Sequence, residues 1–412
     1  MKRETISNMQ QAICNKPLIR NLLIANSLLR FSFLVFSFSF FISASAFTAT
    51  DSTKVSLLTC TPGEELYSVF GHSGIRVCDK EQNVDVVFNY GMFDFTKPNF
   101  YTNFLRGILI YAIGVDDFRS FYLQYTYENR GVSEQILNLS QSEKQKLIDF
   151  LIWNAQPENC DYRYDFLLDN CATRIRDVFE KNTEGSLKYN TTNYDSLRTF
   201  RKMIDEYSYH KRWENFGMNL LIGVPVDRPT TYREQLFLPD NLRDAFGTAT
   251  VHNGEKFVLE TNEIIPAPTV DKSKHFSDPE YVFSVILLLL FLLTIAEIYF
   301  GFWLKFADYF LLFSTGLVGC LFLAMGLFTQ HWTTHWNLNI LWALPTNAVL
   351  AQLLFFKKES LFTKRFVLAT FGIEAFFILF HALLPQSFQI GMILISLMLS
   401  LRLFRWYYAL RK

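Results

Sequence analysis

The stretch YRYDFLLDNCATRIRDVF, residues 162–179, decides how the rest of the chain is interpreted. An extended apolar lead-in is followed by the polar step Asp169-Asn170, then by Cys171 and by apolar residues at the spacing of one helix face. This order predicts a helix that begins at Cys171 and is capped by Asp169 or Asn170.

A cysteine in the first turn of a helix lies where backbone N–H groups and the helix dipole favour negative charge. Arg174 and Arg176 add cations close to Cys171 in the sequence. We therefore expect the pKa of the Cys171 thiol to fall and the residue to act as a nucleophile. The alternative is an inert buried cysteine, because cysteine is among the most buried residue types.

A general base for this thiol is available upstream. His72 lies in VFGHSGI, residues 69–75, between two glycines that let the backbone approach closely and leave the ring accessible. Imidazole and thiol are the groups required of a base and a nucleophile, and such partners meet in the fold whatever their separation in sequence. The alternative for His72 is a half-buried structural histidine.

A third group is expected to orient the imidazole, as it does in catalytic triads. Asn89, on the strand that follows the histidine strand, is the candidate, and Tyr90 and Asp94 are alternatives. The competing interpretation of Asn89 is a turn residue.

The composition indicates a membrane protein with a sizeable domain outside the membrane. The chain has 412 residues, of which 43 are Phe, and a mean hydropathy of +0.13 that is too apolar for an ordinary soluble protein. The 39 basic and 39 acidic residues balance, so nothing suggests a nucleic-acid partner. Apolar residues concentrate at the N-terminus and after residue 280, which leaves about 230 residues for one domain with its own core.

The N-terminal residues 1–46 have the pattern of a secretory signal. Basic residues precede the apolar run 31–42, and the small residues Ala44-Ser45-Ala46 predict cleavage after Ala46. An uncleaved anchor is the alternative, and in both cases the following residues are exported. We predict an exported domain at residues 47–265 and a linker at 266–280.

Four of the six cysteines then lie in an oxidising compartment. If Cys171 stays free, at most one disulfide forms among Cys60, Cys78 and Cys160. We take Cys60–Cys78 as the candidate pair, although connectivity cannot be read from spacing.

Strands and helices occur in separate runs in the exported part, which favours an α+β domain. Ser140, with Glu143 three residues later, forms a capping-box signature that predicts a helix over residues 140–153. Residues 185–280 contain Pro and Asn loop signals and are predicted to cover the domain core. Strands are predicted at 54–59, 65–78, 84–90 and 109–115.

Five apolar segments follow, each long enough to cross about 30 Å of hydrocarbon. They are predicted at 281–303, 308–328, 338–356, 366–384 and 388–404. Basic residues after the third and fifth segments should be cytoplasmic, and the odd number of spans then puts the exported domain on the outer face. These basic residues are Lys357, Lys358, Lys364, Arg365, Arg402, Arg405, Arg411 and Lys412. The ionisable residues within spans, Glu297, Glu374 and His381, are expected to face a protein interior or water.

The outer loop between the second and third spans, QHWTTHWNLN at 330–339, concentrates polar side chains. His331 and His335 are four residues apart, but no carboxylate or cysteine accompanies them, so we expect no metal. The polar side chains of this loop are expected to face the exported domain or a lipid headgroup; they are His331, His335, Asn337 and Asn339.

Several long motifs resemble those of the lipoprotein N-acyltransferases of Bacteroidota, the Lnb family, over most of residues 55–400. The resemblance implies a papain-like, permuted NlpC/P60-type domain, in which the histidine strand precedes the cysteine helix, followed by an α-helical transmembrane bundle of five helices at 281–412. The arrangement is also similar to that of lecithin-retinol acyltransferases. The motifs are GHSGIRV (71–77), VFNYGMFDF (87–95), YENRGVSEQILNLS (127–140), PENCDYRYDFLLDNCATRIRD (157–177) and LNILWALPTN (338–347).

The resemblance implies transfer of an acyl chain from a membrane phospholipid to the α-amino group of the lipidated N-terminal cysteine of a lipoprotein. It implies a multi-pass protein of the bacterial inner membrane with its catalytic domain in the periplasm and no cofactor. Cys171 would carry the acyl group as a thioester, with His72 as acid and base and helix-start N–H groups at the oxyanion. Arg106 and Arg130 are candidates to hold phosphate, with surface or structural arginines as the alternative. Further substrate contacts are expected from Asn170, Tyr90, His331, His335 and Asn337.

Two other functions stay open at this point. A membrane-anchored NlpC/P60-type cell-wall peptidase would use the same cysteine and histidine on a stem peptide, and a binding module would contain an inert Cys171. Several spans with polar outer loops favour the acyltransferase, because a peptidase needs only one anchor.

Overall fold

The computed structural model describes residues 47–183, 186–192, 194–269, 273–356 and 360–409. Residues Ala49–Lys412 form one compact unit. The predicted signal segment, residues 1–46, lies outside the described residues, and so do Lys357, Lys358, Arg411 and Lys412.

A seven-stranded antiparallel sheet forms the centre of the exported part, with the strand order β6-β4-β3-β2-β1-β5-β9. Every residue of the central strand β1 after Lys54 is buried, as expected of a strand that is covered on both faces. The strands are β1 (Lys54–Cys60), β2 (His72–Asp79), β3 (Val84–Met92), β4 (Ile110–Asp117), β5 (Val132–Leu137), β6 (Asp161–Arg163) and β9 (Val258–Ile265), with a separate pair β7 (Thr250–Val251) and β8 (Glu255–Lys256).

Helices lie against this sheet and between its strands. The predicted helix at 140–153 is confirmed, with its capping box, because Ser140 and Glu143 each accept the backbone N–H of the other. The predicted fold class, an α+β domain followed by apolar helices, is also confirmed. The helices of the exported part are α1 (Phe100–Arg106), α2 (Phe118–Tyr127), α3 (Gln141–Asn154), α4 (Cys171–Asn182), α5 (Phe200–Tyr207), α6 (Arg212–Leu221), α7 (Tyr232–Gln235) and α8 (Pro239–Thr248).

Strand register brings the histidine and its candidate partner to one side of the sheet. Gly74 lies opposite Asn89 across β2 and β3. Because side chains two residues apart point to the same face, His72 shares that face with Asn89.

The same register shows that the candidate disulfide is wrong. On β1, Cys60 lies opposite His72, whereas Cys78 lies opposite Lys54 at the other end of the strand. Six residues of extended strand span about 20 Å, far beyond the roughly 7 Å that a disulfide tolerates between Cα atoms. Both cysteines are free.

In the part of the chain that the structure describes, five segments that are long and apolar enough to cross a membrane follow Asp278, which confirms the predicted number. Their α-helices are α9 (Pro279–Phe300), α10 (Lys305–Phe328), α11 (Thr346–Phe355), α12 (Leu361–Phe380) and α13 (Ile390–Ala409). The third segment contains only ten residues of α-helix, α11. Two short 3-10 turns precede this helix, Trp332–Thr334 and Leu338–Leu341. Pro345, next to the start of α11, has no N–H to continue a helix from the preceding turns, which explains the interruption.

Arg402 and Arg405 belong to a buried cluster of charges between membrane helices. Both lie within α13 and are buried, where Arg402 pairs with Glu297 at 3.0 Å and with Asp308, and Arg405 pairs with Glu297 at 3.2 Å. Buried charges persist when they are paired, so this cluster joins α13 to α9 and α10. Glu297 and Glu374 are fully buried, as expected of ionisable groups within spans.

A buried hydrogen-bond network joins the exported domain to the outer loop of the membrane part. The Asn337 amide donates to the carbonyls of Leu220 and Leu221 at 2.9 and 3.1 Å, and the Asn339 amide donates to Leu220 at 3.1 Å. The N–H of Gly223 donates to the carbonyl of Thr333 at 2.8 Å. Helix α6 is therefore held directly on the loop between the second and third spans.

Candidate active site

Cys171 is the first residue of α4, as predicted, and its helix start is held by Asn170. The Asn170 Oδ1 accepts from the N–H of Thr173 at 3.0 Å, and the hydroxyl of Thr173 accepts from the N–H of Asn170 at 2.7 Å. The Asn170 Nδ2 donates to the carbonyls of Phe166 and Phe237. Asn170 is buried and its amide is used within the protein, so it fixes the position of the thiol.

The predicted fall in the pKa of Cys171 is wrong. Backbone N–H groups of Ser73, Ala172 and Cys171 face the sulfur and favour a thiolate, but burial dominates and raises the pKa of the thiol above the usual 9.0. The expected cations point elsewhere.

Arg174 and Arg176 are both engaged away from the sulfur. Arg174 forms an ion pair with Asp169 at 2.5 and 2.7 Å and lies over the ring of Tyr162. Arg176 bonds Asp177 and the carbonyl of Arg233, each at 2.7 Å. Neither arginine therefore supplies the stabilisation that their sequence positions suggested.

The ring of His72 is held by Asn89, the candidate third group. The His72 Nε2 lies 3.1 Å from the Asn89 Oδ1, and the Asn89 Nδ2 donates to Asp116 Oδ2 at 2.8 Å. An ionised carboxylate only accepts hydrogen bonds, so Asp116 selects the amide orientation in which Oδ1 faces the imidazole. Nε2 must then carry the proton, and Nδ1 remains as the basic nitrogen.

Burial also shifts the pKa values of His72 and Asp116, the two groups that Asn89 joins. It lowers the pKa of His72 to about 4, against a smaller opposite effect of the hydrogen bond to Asn89. Burial raises the pKa of the Asp116 carboxyl. Near pH 7 the imidazole is therefore neutral, as a general base requires.

Ser73 links the two halves of the candidate site. Its N–H faces the sulfur of Cys171, and Ser73 directly follows His72 in the chain. Within the described residues, no hydrogen bond joins the imidazole itself to the thiol; the ring bonds Asn89. His72 and Cys171 are each half-buried as whole residues, so part of each is open to a substrate.

Gly91, which no prediction from the sequence named, lies beside Cys171. It interrupts the β3–β4 register at a bulge and has a φ of +90°. A Cβ on Gly91 would lie 3.9 Å from the Cβ of Cys171 and 3.7 Å from the Tyr164 ring. A glycine inside a strand pattern is the signal that marks such a bulge.

The alternatives for the third group lie elsewhere. Tyr90 is buried and its hydroxyl donates to Asn154 Oδ1 at 2.7 Å. Asp94 closes an exposed turn by accepting from Thr96. Neither side chain bonds the imidazole. The hydroxyl of the buried Tyr90 is used within the protein, so it is not free to contact a substrate.

The two candidate phosphate ligands differ in their surroundings. Arg106 is exposed at the end of α1. Arg130 is buried near the site, where it donates to Glu128 and to the carbonyl of Thr61, each at 2.9 Å, and stacks over Tyr125. Its Nη2 has no partner among the described residues. Arg106 is thus open to a ligand, and Arg130 has a structural position with one spare donor.

The outer-loop candidates lie at the junction with the exported domain. The His331 Nε2 bonds the carbonyl of Phe104 at 2.9 Å, and the carbonyl of His335 lies against Gly223. The amide of Asn337 is used by α6, so we assign it a structural position. Among the described residues, no three His, Cys, Asp or Glu side chains are grouped to hold a metal.

The fold and site define a membrane protein whose periplasmic α+β domain holds a partly buried cysteine and histidine next to its transmembrane part. A family model described as the Lnb N-terminal periplasmic domain matches residues 42–204, and one described as the Lnb transmembrane domain matches residues 271–412. The chain belongs to the Lnb family. This membership supports a function of the lipoprotein N-acyltransferase type. Comparison with curated proteins and with solved structures gives no match.

Proposed function

We propose that this protein moves an acyl chain from a membrane phospholipid, through a thioester on Cys171, to the α-amino group of the lipidated N-terminal cysteine of lipoproteins. The observation that carries the proposal is the meeting of a helix-start thiol, backbone N–H groups and the strand of His72 at one accessible point. Membership of the Lnb family supports the substrate class. The protein then works at the outer face of the inner membrane.

In the first half-reaction, the Cys171 sulfur attacks the ester carbonyl of the donor and its proton passes to Nδ1 of His72. Thiol and imidazole are both neutral near pH 7, so the proton moves during the attack and not before it. The ring and the sulfur must approach each other, as catalytic groups commonly do when substrate binds.

The N–H groups of Ser73, Ala172 and Cys171 are available for the negative oxygen that develops on the carbonyl. The ester C–O bond then breaks, and His72 returns the proton to the departing glycerol oxygen. Lysophospholipid leaves, and the acyl group remains on sulfur.

In the second half-reaction, the lipoprotein amine attacks the thioester carbonyl and gives a proton to His72 Nδ1. The C–S bond breaks, the sulfur recovers the proton and an amide is released. Asn89 and Asp116 support both halves by keeping Nδ1 free to accept.

The proposal is tested by measuring lipoprotein N-acylation in cells in which the variant replaces the wild-type protein. Cys171→Ala should abolish N-acylation, and His72→Ala should reduce it by about 100-fold or more. Cys160→Ala is the matched control, because Cys160 is also a partly exposed free thiol but bonds a backbone carbonyl away from the site. Both site variants should reach the membrane at wild-type levels, and N-acylation that persists in the Cys171→Ala strain contradicts the proposal.

A further inference from the structure

The chain between β3 and β4 exposes an unusual amount of apolar surface. Helix α1 has no buried residue, and its Tyr101, Phe104 and Leu105 are 68, 46 and 71% exposed. Phe95, just before the helix, is 56% exposed. Contiguous apolar patches of this kind mark a surface that is covered in the working protein. These four residues are called the α1 apolar face.

The position of α1 identifies what covers it. The N–H of Gln330 donates to the carbonyl of Arg106 at 2.8 Å, and His331 bonds the carbonyl of Phe104 at 2.9 Å. Helix α10, the second membrane span, ends at Phe328, only two residues before Gln330. Helix α1 therefore lies at the outer end of that span.

The contact between α1 and this loop is close and specific. Gly107, which ends α1 with a φ of +76°, lies so near the backbone of Gln330 and His331 that a Cβ there would come within 2.7 Å. At the end of α10, Leu327 and Phe328 are 69 and 79% exposed, as lipid-facing residues are. The α1 apolar face thus lies close to the exposed apolar end of α10.

A row of aromatic rings leads from α1 back to the candidate active site. The row consists of Phe104, Phe100, Phe93, Tyr111 and Tyr164. The distances between consecutive ring centroids are 6.3, 6.5, 5.3 and 4.3 Å. The ring of Tyr164 lies next to Gly91, which borders the Cβ of Cys171. We call this row the aromatic ladder.

We propose that α1 lies in the outer leaflet of the membrane and that the aromatic ladder leads the acyl chain of a phospholipid from the bilayer to Cys171. The second part rests on the proposed function, whereas the membrane position of α1 does not. An apolar chain that leaves the bilayer would meet apolar rings and not water along this path. The exposed Arg106 at the end of α1 is placed at headgroup level, where it can pair with the donor phosphate.

Photocrosslinking tests the position of α1. Full-length protein with benzoylphenylalanine in place of Leu105 is reconstituted in vesicles of phosphatidylethanolamine and phosphatidylglycerol and irradiated. The matched control replaces Leu259, which is 64% exposed but lies on β9, at the opposite edge of the sheet from β4. We expect a phospholipid adduct, identified by mass, at 105 and none at 259. Equal yields at both positions, or a protein adduct alone at 105, would overturn the membrane position.

A donor comparison tests whether the donor enters from the bilayer at the α1 apolar face, where the aromatic ladder begins. The Tyr101→Ser/Leu105→Ser double variant changes exposed side chains only, so the fold is preserved. Acyl-enzyme formation should fall about tenfold with vesicles of long-chain phospholipid. Each lost apolar side chain should weaken the contact with the bilayer by at least about threefold, and two are lost. The double variant should equal wild type with dibutyryl phosphatidylcholine, which is monomeric in water. Leu259→Ser should match wild type with both donors.

The two failures are distinguishable. If the wild type forms no acyl-enzyme with either donor, the proposed function fails while the crosslinking still decides the position of α1. If the wild type is active and the double variant keeps the wild-type rate with vesicles, or loses both donors equally, the proposed entry of the donor at α1 is wrong.

Discussion

The hydrogen-bond relay from Asp116 through Asn89 to His72 makes a sharp prediction for Asp116→Asn. The carboxylate accepts from Asn89 Nδ2 at 2.8 Å and thereby turns Oδ1 toward the imidazole. An amide at position 116 can donate as well as accept, so Asn89 is free to present either end. When Nδ2 faces the ring, Nε2 must accept, and the proton moves to Nδ1, which can then no longer act as a base.

The size of the effect follows from the bond that is lost. A hydrogen bond to a carboxylate contributes about 1.5–3 kcal/mol, against about 0.5–1.5 for a neutral pair. The relay also stabilises the positive charge that His72 gains in the transition state, and weakening it by this difference of about 1–1.5 kcal/mol reduces kcat about tenfold. KM should be unchanged, because in the proposed mechanism neither Asn89 nor Asp116 touches substrate.

The pH dependence gives a second readout of the same relay. Burial raises the pKa of Asp116, so its carboxylate is protonated at a higher pH than an ordinary aspartate. Protonation of Asp116 in the wild type has the same effect as the substitution. The ratio of wild-type to variant kcat should therefore fall toward one as the pH falls through the pKa of Asp116. Both rates should fall further near pH 4, where His72 becomes protonated.

The assay is single-turnover acyl transfer from a labelled phospholipid by purified, reconstituted protein. Asp117→Asn is the matched control, since it makes the same chemical change one residue away on an exposed helix cap, where asparagine caps equally well. A kcat for Asp116→Asn within twofold of wild type, or a loss that Asp117→Asn reproduces, would refute the relay.

Three further predictions concern the thiol, the bulge and the membrane part. Alkylation of Cys171 by iodoacetamide should accelerate about tenfold per pH unit to beyond pH 9, because burial raises its pKa; a plateau near pH 6 contradicts this. Gly91→Ala should lower the free energy of unfolding by about 1–2 kcal/mol, because φ at this position is +90°. In thermal unfolding, the control Gly217→Ala, with nothing within 4 Å of the new Cβ, should not destabilise. Arg402→Ala should lower the free energy of unfolding by about 3–5 kcal/mol, since it leaves buried carboxylates unpaired. The control Arg365→Ala, at an exposed position, should change it by no more than about 0.5 kcal/mol. Equal melting temperatures of the two variants in detergent would refute the structural role of the buried pair.

Local sequence signals predicted much of the fold. The capping box at Ser140 and the polar step before Cys171 each specify a helix start through short-range hydrogen bonds, so both could be read directly. The histidine strand and the strand of Asn89 have the β-branched and aromatic content of paired strands. Their pairing then required His72 and Asn89 to share a face.

The electrostatics of the site could not be predicted in the same way. The pKa of Cys171 depends on how completely the fold removes water from the sulfur, and helix position alone suggested the opposite direction. Arg174 lies three residues from Cys171 but pairs with Asp169, because that carboxylate was within reach. Asp116 had no motif of its own and became visible only when the register placed β4 beside β3.

The membrane part shows a similar division. Hydropathy gave the number of spans, since it depends only on length and composition. The short α11 and the buried position of Arg402 depend on packing between helices. Neither a window of hydropathy nor a count of basic residues contains that information.

The mass of the covalent adduct on Cys171 shows whether this thiol carries the acyl group. Reconstituted protein is mixed with a phospholipid whose acyl chains have an unnatural odd length, quenched in acid before an acceptor lipoprotein is added, and digested for mass spectrometry. We expect the mass of that acyl chain on the peptide that contains Cys171. The adduct should be sensitive to hydroxylamine and absent from a parallel sample that receives the lipoprotein before the quench. An unmodified Cys171 alongside continuing lipoprotein N-acylation, or a peptidyl adduct in its place, would contradict this expectation.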